Sequence, residues 1–287
     1  GPYFNAEAID VKEGASEYRK DKNAYTFTGN KQSYVFDPAY SVMFPRMSDM
    51  QKSSSPSGYR SWSGMTEIEN EIQYLEQNLS GLSNEKLSEA KERIKELKAE
   101  KPAMANNLRY FFDYQLNHMY FRYFFWNFVG RQNDNQGMYA DILNGNWLSG
   151  IGFLDSMRLG PQDIPDSMKN KSRNTFYFLP LIFGLIGLYY HFKKNSKDGT
   201  VVLLLFFMTG IAITIYLNQH SPQPRERDYA YAASFYAFAI WIGLSVLWLF
   251  ELISKKLSPK IAAIVSSSVV FLLVPVILMA KGWDDHD

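Results

Sequence analysis

The sequence predicts a mainly α-helical, polytopic membrane protein, with four transmembrane helices near its C-terminus and a partly helical N-terminal region outside the cytoplasm. Two features of the 287 residues predict this class. Most of the 30 basic and 29 acidic residues lie before position 174, whereas long runs with almost no charge follow it. Aromatic residues reach 16%, which suits both membrane interfaces and ordinary cores. The mean hydropathy of -0.24 therefore averages two regions shaped by different solvents.

Four apolar segments follow residue 174, at 176–192, 201–217, 229–253 and 261–280. A helix of about 20 residues crosses the roughly 30 Å hydrocarbon core of a bilayer, and about 17 residues is near the lower limit. A soluble protein with buried helices is the alternative, but four such runs so close together make it a poor explanation. We expect a four-helix transmembrane region over residues 174–281.

The short turns between these segments indicate their orientation. Lysines cluster in the turn after the first segment and in the turn after the third, at Lys193, Lys194, Lys197, Lys255, Lys256 and Lys260. Because cytoplasmic turns carry an excess of basic residues, we expect both turns in the cytoplasm and residues 1–173 outside it. Four basic residues before the first segment favour the opposite orientation, namely Arg158, Lys169, Lys171 and Arg173.

The charged N-terminal part divides by composition. In residues 1–65, short aromatic stretches such as 34–36 and 42–44 are interrupted by glycine and proline, which predicts an irregular or short-stranded segment outside the cytoplasm. Residues 66–102 are rich in Glu, Lys and Leu and predict a charged helical hairpin that breaks near Gly81. A solvated hairpin and a partner-binding coiled coil both fit this pattern.

Residues 103–173 begin with an aromatic segment, 106–128, that is too polar to span a bilayer easily. We expect a helix at the membrane interface, or one packed between the water-facing part and the membrane helices. A platform for a sugar or a lipid is the functional alternative to plain packing. The rest of this range is rich in Gly, Asn, Asp and Pro and predicts a loop-rich connection.

The first candidate site is the charged run at the start of the third apolar segment, Arg225, Glu226, Arg227 and Asp228. Charges at that depth are costly unless they are paired or solvated. One interpretation is that an arginine holds a lipid phosphate while the acids orient it or engage a polar substrate. The other is a salt-bridge cluster that fixes the end of the helix. The sequence supports both equally.

A second polar cluster follows the aromatic segment and contains Arg131, Asn133 and Asp134. Its hydrogen-bonding groups suit a sugar or a peptide, and they also suit a turn. The run Asp284, Asp285 and His286 is more typical of a solvated junction than of a metal site, so we predict no metal.

Composition excludes several other classes of protein. The absence of cysteine excludes disulfides and thiolate metal sites. Because basic residues interleaved with aromatics are also absent, we expect no nucleic-acid partner. No motif of a known catalytic centre is present, and the catalytic residues stay unknown.

Three stretches together resemble one family, namely residues 1–5, 114–134 and 224–231. The family comprises large bacterial membrane proteins, catalogued as domain of unknown function 2723, that are related to protein O-mannosyltransferases. The resemblance extends over nearly the whole chain.

The resemblance implies a glycosyltransferase of the bacterial inner membrane that takes a sugar from a polyprenyl-phosphate donor and attaches it to an exported protein. It implies that this chain is an internal fragment that lacks the catalytic acidic loop, is inactive alone, contains no cofactor of its own and depends on the remainder of the parent chain. Residues 282–287 would then begin a further part outside the cytoplasm. Membrane lipid and an exported acceptor protein are the implied partners. A non-enzymatic scaffold or subunit of an envelope assembly is the alternative.

Overall fold

The structure, a computed structural model, describes residues 8–36, 55–165, 170–223 and 225–283. Helices account for most of them, which confirms the mainly α class. The chain forms two compact units. The first unit comprises Gly1–Phe111 and Asn218–Pro222, and the second comprises Phe112–Leu217 and Gln223–Asp287. Residues 42–44 and Asp284–His286, which the sequence analysis singled out, lie outside the described residues.

The first unit begins with an antiparallel hairpin of β1 (Ala8–Lys20) and β2 (Tyr25–Phe36). The sequence predicted an irregular or short-stranded segment, but the strands contain 13 and 12 residues. Gly14 and Gly29 looked like breaks, yet both lie at or beside shifts in the register of the ladder. A β-bulge accommodates an extra residue without ending the strand, and Gly29 supplies the positive φ of 144°.

One face of this hairpin carries a row of large side chains that are exposed. Tyr18 pairs with Phe27 and their rings are 5.8 Å apart, and Val11 pairs with Tyr34 further along the same face. Tyr25 completes the row at the turn. We call these five residues the aromatic face. Since a two-stranded hairpin is marginally stable alone, an exposed apolar face on one is unusual.

Four helices follow in the described part of the first unit, namely α1 (Ser55–Trp62), α2 (Thr66–Asn78), α3 (Asn84–Ala99) and α4 (Met104–Arg109). A 3₁₀ turn at Leu79–Gly81 joins α2 to α3, at the glycine where the sequence predicts a break. The two helices pack through a small core of Ile72, Ile94 and Leu97. Ion pairs between exposed side chains link them on the outside, and such pairs add little stability.

The second unit begins inside a π-helical segment, Tyr110–Phe121, that continues into α5 (Arg122–Phe128). The sequence predicted an aromatic helix that lies at the membrane interface or packs between the water-facing part and the membrane helices. In the structure its aromatic side chains are largely buried, and several of them pack against the helix Ala232–Ile253, named α10 below. Phe124 and Phe128 lie 4.8 and 4.6 Å from Phe238, measured between ring centroids. Close ring contacts of this kind make the aromatic stripe part of the core of the unit.

The connection that follows is mainly irregular. It contains β3 (Gly130–Arg131), α6 (Gly152–Leu159) and β4 (Asn174–Thr175). Strands β3 and β4 pair in antiparallel fashion, with Arg131 opposite Asn174. This short pairing ties the end of the aromatic helix to the start of the apolar helices.

Six helices complete the described part of the second unit, namely α7 (Leu179–Lys194), α8 (Ser196–Thr209), α9 (Ile211–Leu217), α10 (Ala232–Ile253), α11 (Pro259–Phe271) and α12 (Ile277–Gly282). Three continuous stretches in the described residues are long and apolar enough to cross a membrane, namely Ser196–Leu217, Asp228–Ile253 and Pro259–Gly282. At 1.5 Å per residue their 22, 26 and 24 residues extend about 33, 39 and 36 Å. This indicates a membrane protein. We call the three stretches the first, second and third span.

The remaining predicted span, residues 176–192, corresponds to α7, which is shorter than the other three. Its 16 residues extend only about 24 Å, against roughly 30 Å of hydrocarbon. The helix is apolar and packs tightly against α10, where Gly187 faces the backbone of Trp241. A membrane-crossing role for α7 stays a prediction.

Candidate functional site

The charged run before α10 is tied to the aromatic helix through Glu226. The Glu226 carboxylate accepts hydrogen bonds from Nη1 and Nη2 of Arg122, at 3.1 and 2.7 Å. The hydroxyl of Tyr123 donates to the same carboxylate. The side chain of Arg122 is only 7% exposed and that of Glu226 is 20% exposed. A paired carboxylate and guanidinium therefore lie at the start of the second span.

Arg122 was not among the candidates from sequence, although it is the most elaborately held charge in this region. Its Nε donates to the carbonyl of His118 at 2.9 Å, and its guanidinium lies 4.4 and 4.7 Å from the rings of Tyr123 and Trp126. Burial, followed by the charge of Arg122, holds the pKa of His118 well below its usual value. The available signal was a lone arginine within an aromatic helix, where an unpaired charge would be costly.

Arg225 and Arg227 lie in different surroundings. Arg225 is exposed, and its Nη2 donates to the hydroxyl of Tyr229 at 3.1 Å. The main-chain N–H of Arg227 donates to the hydroxyl of Tyr123 at 3.1 Å, and its buried Nε has no acceptor in the described part of the chain. Among the described residues, neither arginine forms an ion pair with Glu226 or Asp228. The acid of this run is paired with Arg122 instead.

Asp228 and Arg131, one from each predicted cluster, line the same cavity. It has a volume of about 230 Å³ and its polar wall also includes Asn127 and Asn174, with Trp126 beside them. We call it the polar cavity. Asp228 begins the second span and Gly282, another wall residue, ends the third. The polar cavity therefore lies at one end of these two spans.

Local structure fixes Arg131 in this wall. Its main-chain N–H donates to the side-chain oxygen of Asn174 at 3.0 Å, as part of the β3–β4 pairing. Its Nε donates to the carbonyl of Ser172 at 3.1 Å, and its guanidinium lies 5.5 Å from the ring of Trp126. These contacts hold the guanidinium in the wall of the polar cavity, and a guanidinium is a group that binds anions and hydroxyls.

The other two candidates of the second cluster stabilise turns. The amide of Asn133 donates to the carbonyl of Leu143 at 3.0 Å, and its oxygen accepts from the N–H of Gly145 at 2.9 Å. Asp134 is exposed and accepts a hydrogen bond from Asn170 at 2.9 Å. The turn interpretation fits Asn133, whose polar groups are already used within the chain.

An apolar groove of about 670 Å³ lies between α10 and the third span. Its wall includes Ile242, Gly243, Val246, Val274 and Leu278. Leu278 also lines the polar cavity, so that the two spaces share one wall residue. The groove reaches Val246, which lies about 27 Å along the helix from Asp228. We call it the apolar groove.

The described residues contain no group of three or more His, Cys, Asp or Glu side chains that could hold a metal ion. The polar cavity offers one fixed cation, one carboxylate and two amides. These groups can bind phosphate oxygens and sugar hydroxyls through hydrogen bonds. The groove beside them can accommodate hydrocarbon.

Fold and site together define a membrane protein with a candidate site for an amphiphile, a molecule with a polar head and an apolar tail. Residues 1–112 match the model of a family described as "Family of unknown function (DUF8416)". The match covers less than half of the chain, and this family is not the one that the sequence resemblance named. No curated protein matches the chain, and no solved structure matches it.

Proposed function

We propose that this chain is part of a glycosyltransferase-like protein of the bacterial inner membrane that binds a polyprenyl-phosphate sugar and acts on exported proteins. One observation carries the proposal, namely that the polar cavity and the apolar groove share Leu278. A lipid-linked sugar has a phosphate and hydroxyls at one end and a long hydrocarbon chain at the other. The two adjoining spaces match that division.

The wall of the polar cavity suggests a role for each side chain. The guanidinium of Arg131 would bind a phosphate oxygen, and the carboxylate of Asp228 would accept hydrogen bonds from sugar hydroxyls. Asn127 and Asn174 can serve either group, since an amide both donates and accepts. The negative phosphate of a lipid-linked sugar bound this way would lie against the fixed positive charge of Arg131. A fixed positive charge of this kind stabilises a phosphate leaving group.

The proposal places residues 1–173 outside the cytoplasm, together with the polar cavity. The loop before Asp228 would lie on that side, opposite the lysine-rich turns. Arg131 takes the phosphate-binding role first suggested for Arg225 or Arg227, and Asp228 keeps the substrate-binding role suggested for the acids of its own cluster. We assign no catalytic residue here.

Binding of a polyprenyl phosphate to the purified chain in detergent tests the proposal. Arg131→Ala should weaken binding about tenfold, a loss of about 1.4 kcal/mol, because a charge-assisted contact is removed. Arg225→Ala is the matched control, since Arg225 is exposed and does not line the cavity, and it should bind as the wild type does. Equal binding by the wild type and Arg131→Ala, with both folded, would reject this site.

A non-enzymatic scaffold of an envelope assembly is the second candidate, and the aromatic face of the β-hairpin favours it. Five large side chains stand exposed there. Exposed patches of this kind mark binding surfaces. Tyr18→Ser combined with Phe27→Ser should abolish co-purification of an envelope partner with the parent protein, while polyprenyl-phosphate binding persists. A parent protein that co-purifies with the same partners before and after the change would exclude this candidate.

A further inference from the structure

Two turns of the second unit meet at the end of the bundle away from the polar cavity. Nζ of Lys194, in the last turn of α7, lies 2.7 Å from Oε1 of Glu251 in the last turn of α10. The hydroxyl of Tyr190 donates to the same oxygen at 2.7 Å. The turn after α7 and the turn after α10 therefore lie side by side.

These turns and the helix ends beside them carry six lysines that are all exposed, namely Lys193, Lys194, Lys197, Lys255, Lys256 and Lys260. They contain two carboxylates, and both are already engaged. Glu251 pairs with Lys194, and Asp198 accepts a hydrogen bond from the side chain of Asn195. In the part of the chain that the structure describes, the five other lysines have no ion pair. We call this area the lysine surface, and it has a clear excess of positive charge.

Both turns are short, which determines how far from the membrane the lysine surface can lie. Only Asn195 separates α7 from α8, and five residues, 254–258, separate α10 from α11. Neither turn can extend far beyond the helix ends, and α8, α10 and α11 belong to the three stretches that are long and apolar enough to cross a bilayer. Tyr189 is 61% exposed beside Lys193, whose Nζ is 5.9 Å from its ring, and tyrosine prefers the headgroup level. The ammonium groups therefore lie where lipid headgroups lie.

We propose that the lysine surface binds the headgroups of anionic phospholipids in the leaflet that surrounds it. The match is one of charge, because unpaired ammonium groups at the headgroup level attract negatively charged lipid and leave zwitterionic lipid unaffected. The binding would retain a layer of anionic lipid around the turns. It depends on membrane insertion and not on any glycosyltransferase activity.

Retention of lipids by the purified protein, measured by native mass spectrometry, tests this proposal. The probes are phosphatidylglycerol and phosphatidylcholine with identical acyl chains, supplied in equal amounts. The wild type should retain phosphatidylglycerol at least about tenfold more strongly. The triple variant Lys193→Gln, Lys255→Gln and Lys256→Gln should lose most of that preference. Lys281→Gln, an exposed change near the other end of the third span, is the matched control and should keep it.

Four outcomes would overturn the proposal. Equal retention of both lipids by the wild type would show no charge preference. A folded triple variant that keeps the preference, or a control that loses it equally, would place the preference elsewhere. Binding of inorganic phosphate in the same concentration range as phosphatidylglycerol would indicate an ion site and not a lipid surface. High salt should reduce the wild-type preference, since exposed charges are screened.

Discussion

Arg122 and Glu226 form a two-point ion pair across 104 residues of sequence, with nitrogen–oxygen distances of 3.1 and 2.7 Å. The pair joins the aromatic helix to the start of the second span within one compact unit. Both side chains are mostly shielded from water, and Tyr123 adds a third hydrogen bond. Burial, above all, raises the pKa of Tyr123, so that its hydroxyl stays protonated and can donate to Glu226.

Removing one partner of this pair should be costly. Glu226→Leu leaves the buried guanidinium of Arg122 without its carboxylate, and we expect a loss of about 3 kcal/mol in the free energy of unfolding. Thermal unfolding in detergent measures this loss. Arg225→Leu serves as the control and should change little, because Arg225 is adjacent to Glu226 in sequence but exposed to solvent.

The double variant Arg122→Met with Glu226→Leu sharpens this test. Because it removes both charges together, it should recover much of the stability that Glu226→Leu loses. A double variant that is as unstable as the sum of the two single variants would show that the two side chains act independently.

His118 should make the stability of the second unit depend on pH near neutrality. Its pKa is lowered in the folded protein by burial and then by Arg122, so the unfolded chain binds a proton more readily. The free energy of unfolding should therefore fall as the pH drops below about 6.5, the usual pKa of histidine. Melting temperatures between pH 7.5 and 5.5 should decline for the wild type. His118→Gln should flatten that decline, and an unchanged slope would contradict it.

Glu69 should make the first unit lose stability at acidic pH, separately from the effect of His118. Burial alone would raise its pKa, but hydrogen bonds from Ser57 and Arg60, together with the charge of Arg60, outweigh burial and lower the pKa. The Arg60 Nε to Glu69 Oε2 distance is 2.5 Å. A lowered carboxyl pKa contributes stability that is complete above about pH 4.3 and is lost as the pH falls through the folded value.

The measurement for Glu69 is the unfolding of the wild type between pH 6 and pH 3. Glu69→Gln should already be less stable at pH 6 and should lose less on acidification. Glu67→Gln is the matched control, because Glu67 is exposed on the same helix and should leave the profile unchanged. If both variants follow the wild-type profile, the buried pair does not set the acid limit.

The apolar helices could be predicted from sequence because their signal is local. A run with almost no charge, such as the one that ends in Leu217, is visible residue by residue, and three such runs are long enough to span. The predicted span at residues 176–192 differs from these three, because the helix formed there, α7, ends at Lys194 after only 16 residues. The β-hairpin was missed since Gly14 and Gly29 suggested breaks, although they lie at or beside register shifts of continuous strands.

The site was only partly predictable for a physical reason. Arg131 and Asp228 were both candidates, but they were assigned to separate clusters because they are far apart in sequence. Their shared cavity depends on the pairing of Arg131 with Asn174 and on the packing of the third span beside the second. Similarly, no periodicity links Arg122 to Glu226. Sequence indicated which side chains are chemically unusual, and the tertiary contacts decided which of them meet.

The contact between α7 and α10 gives a prediction about close helix packing. A Cβ atom at Gly187 would overlap the carbonyl oxygen of Trp241, a backbone atom that cannot move aside without shifting the helix. Gly187→Ala should therefore separate the two helices and lower the free energy of unfolding by about 3 kcal/mol.

Gly243→Ala is the matched control on α10, because no atom lies within 4 Å of its added Cβ. Alanine favours helix over glycine by about 1 kcal/mol, so this control should be neutral or slightly stabilising. Thermal unfolding of both variants in the same detergent makes the comparison, and equal melting temperatures would mean that α7 and α10 are not in close contact at Gly187.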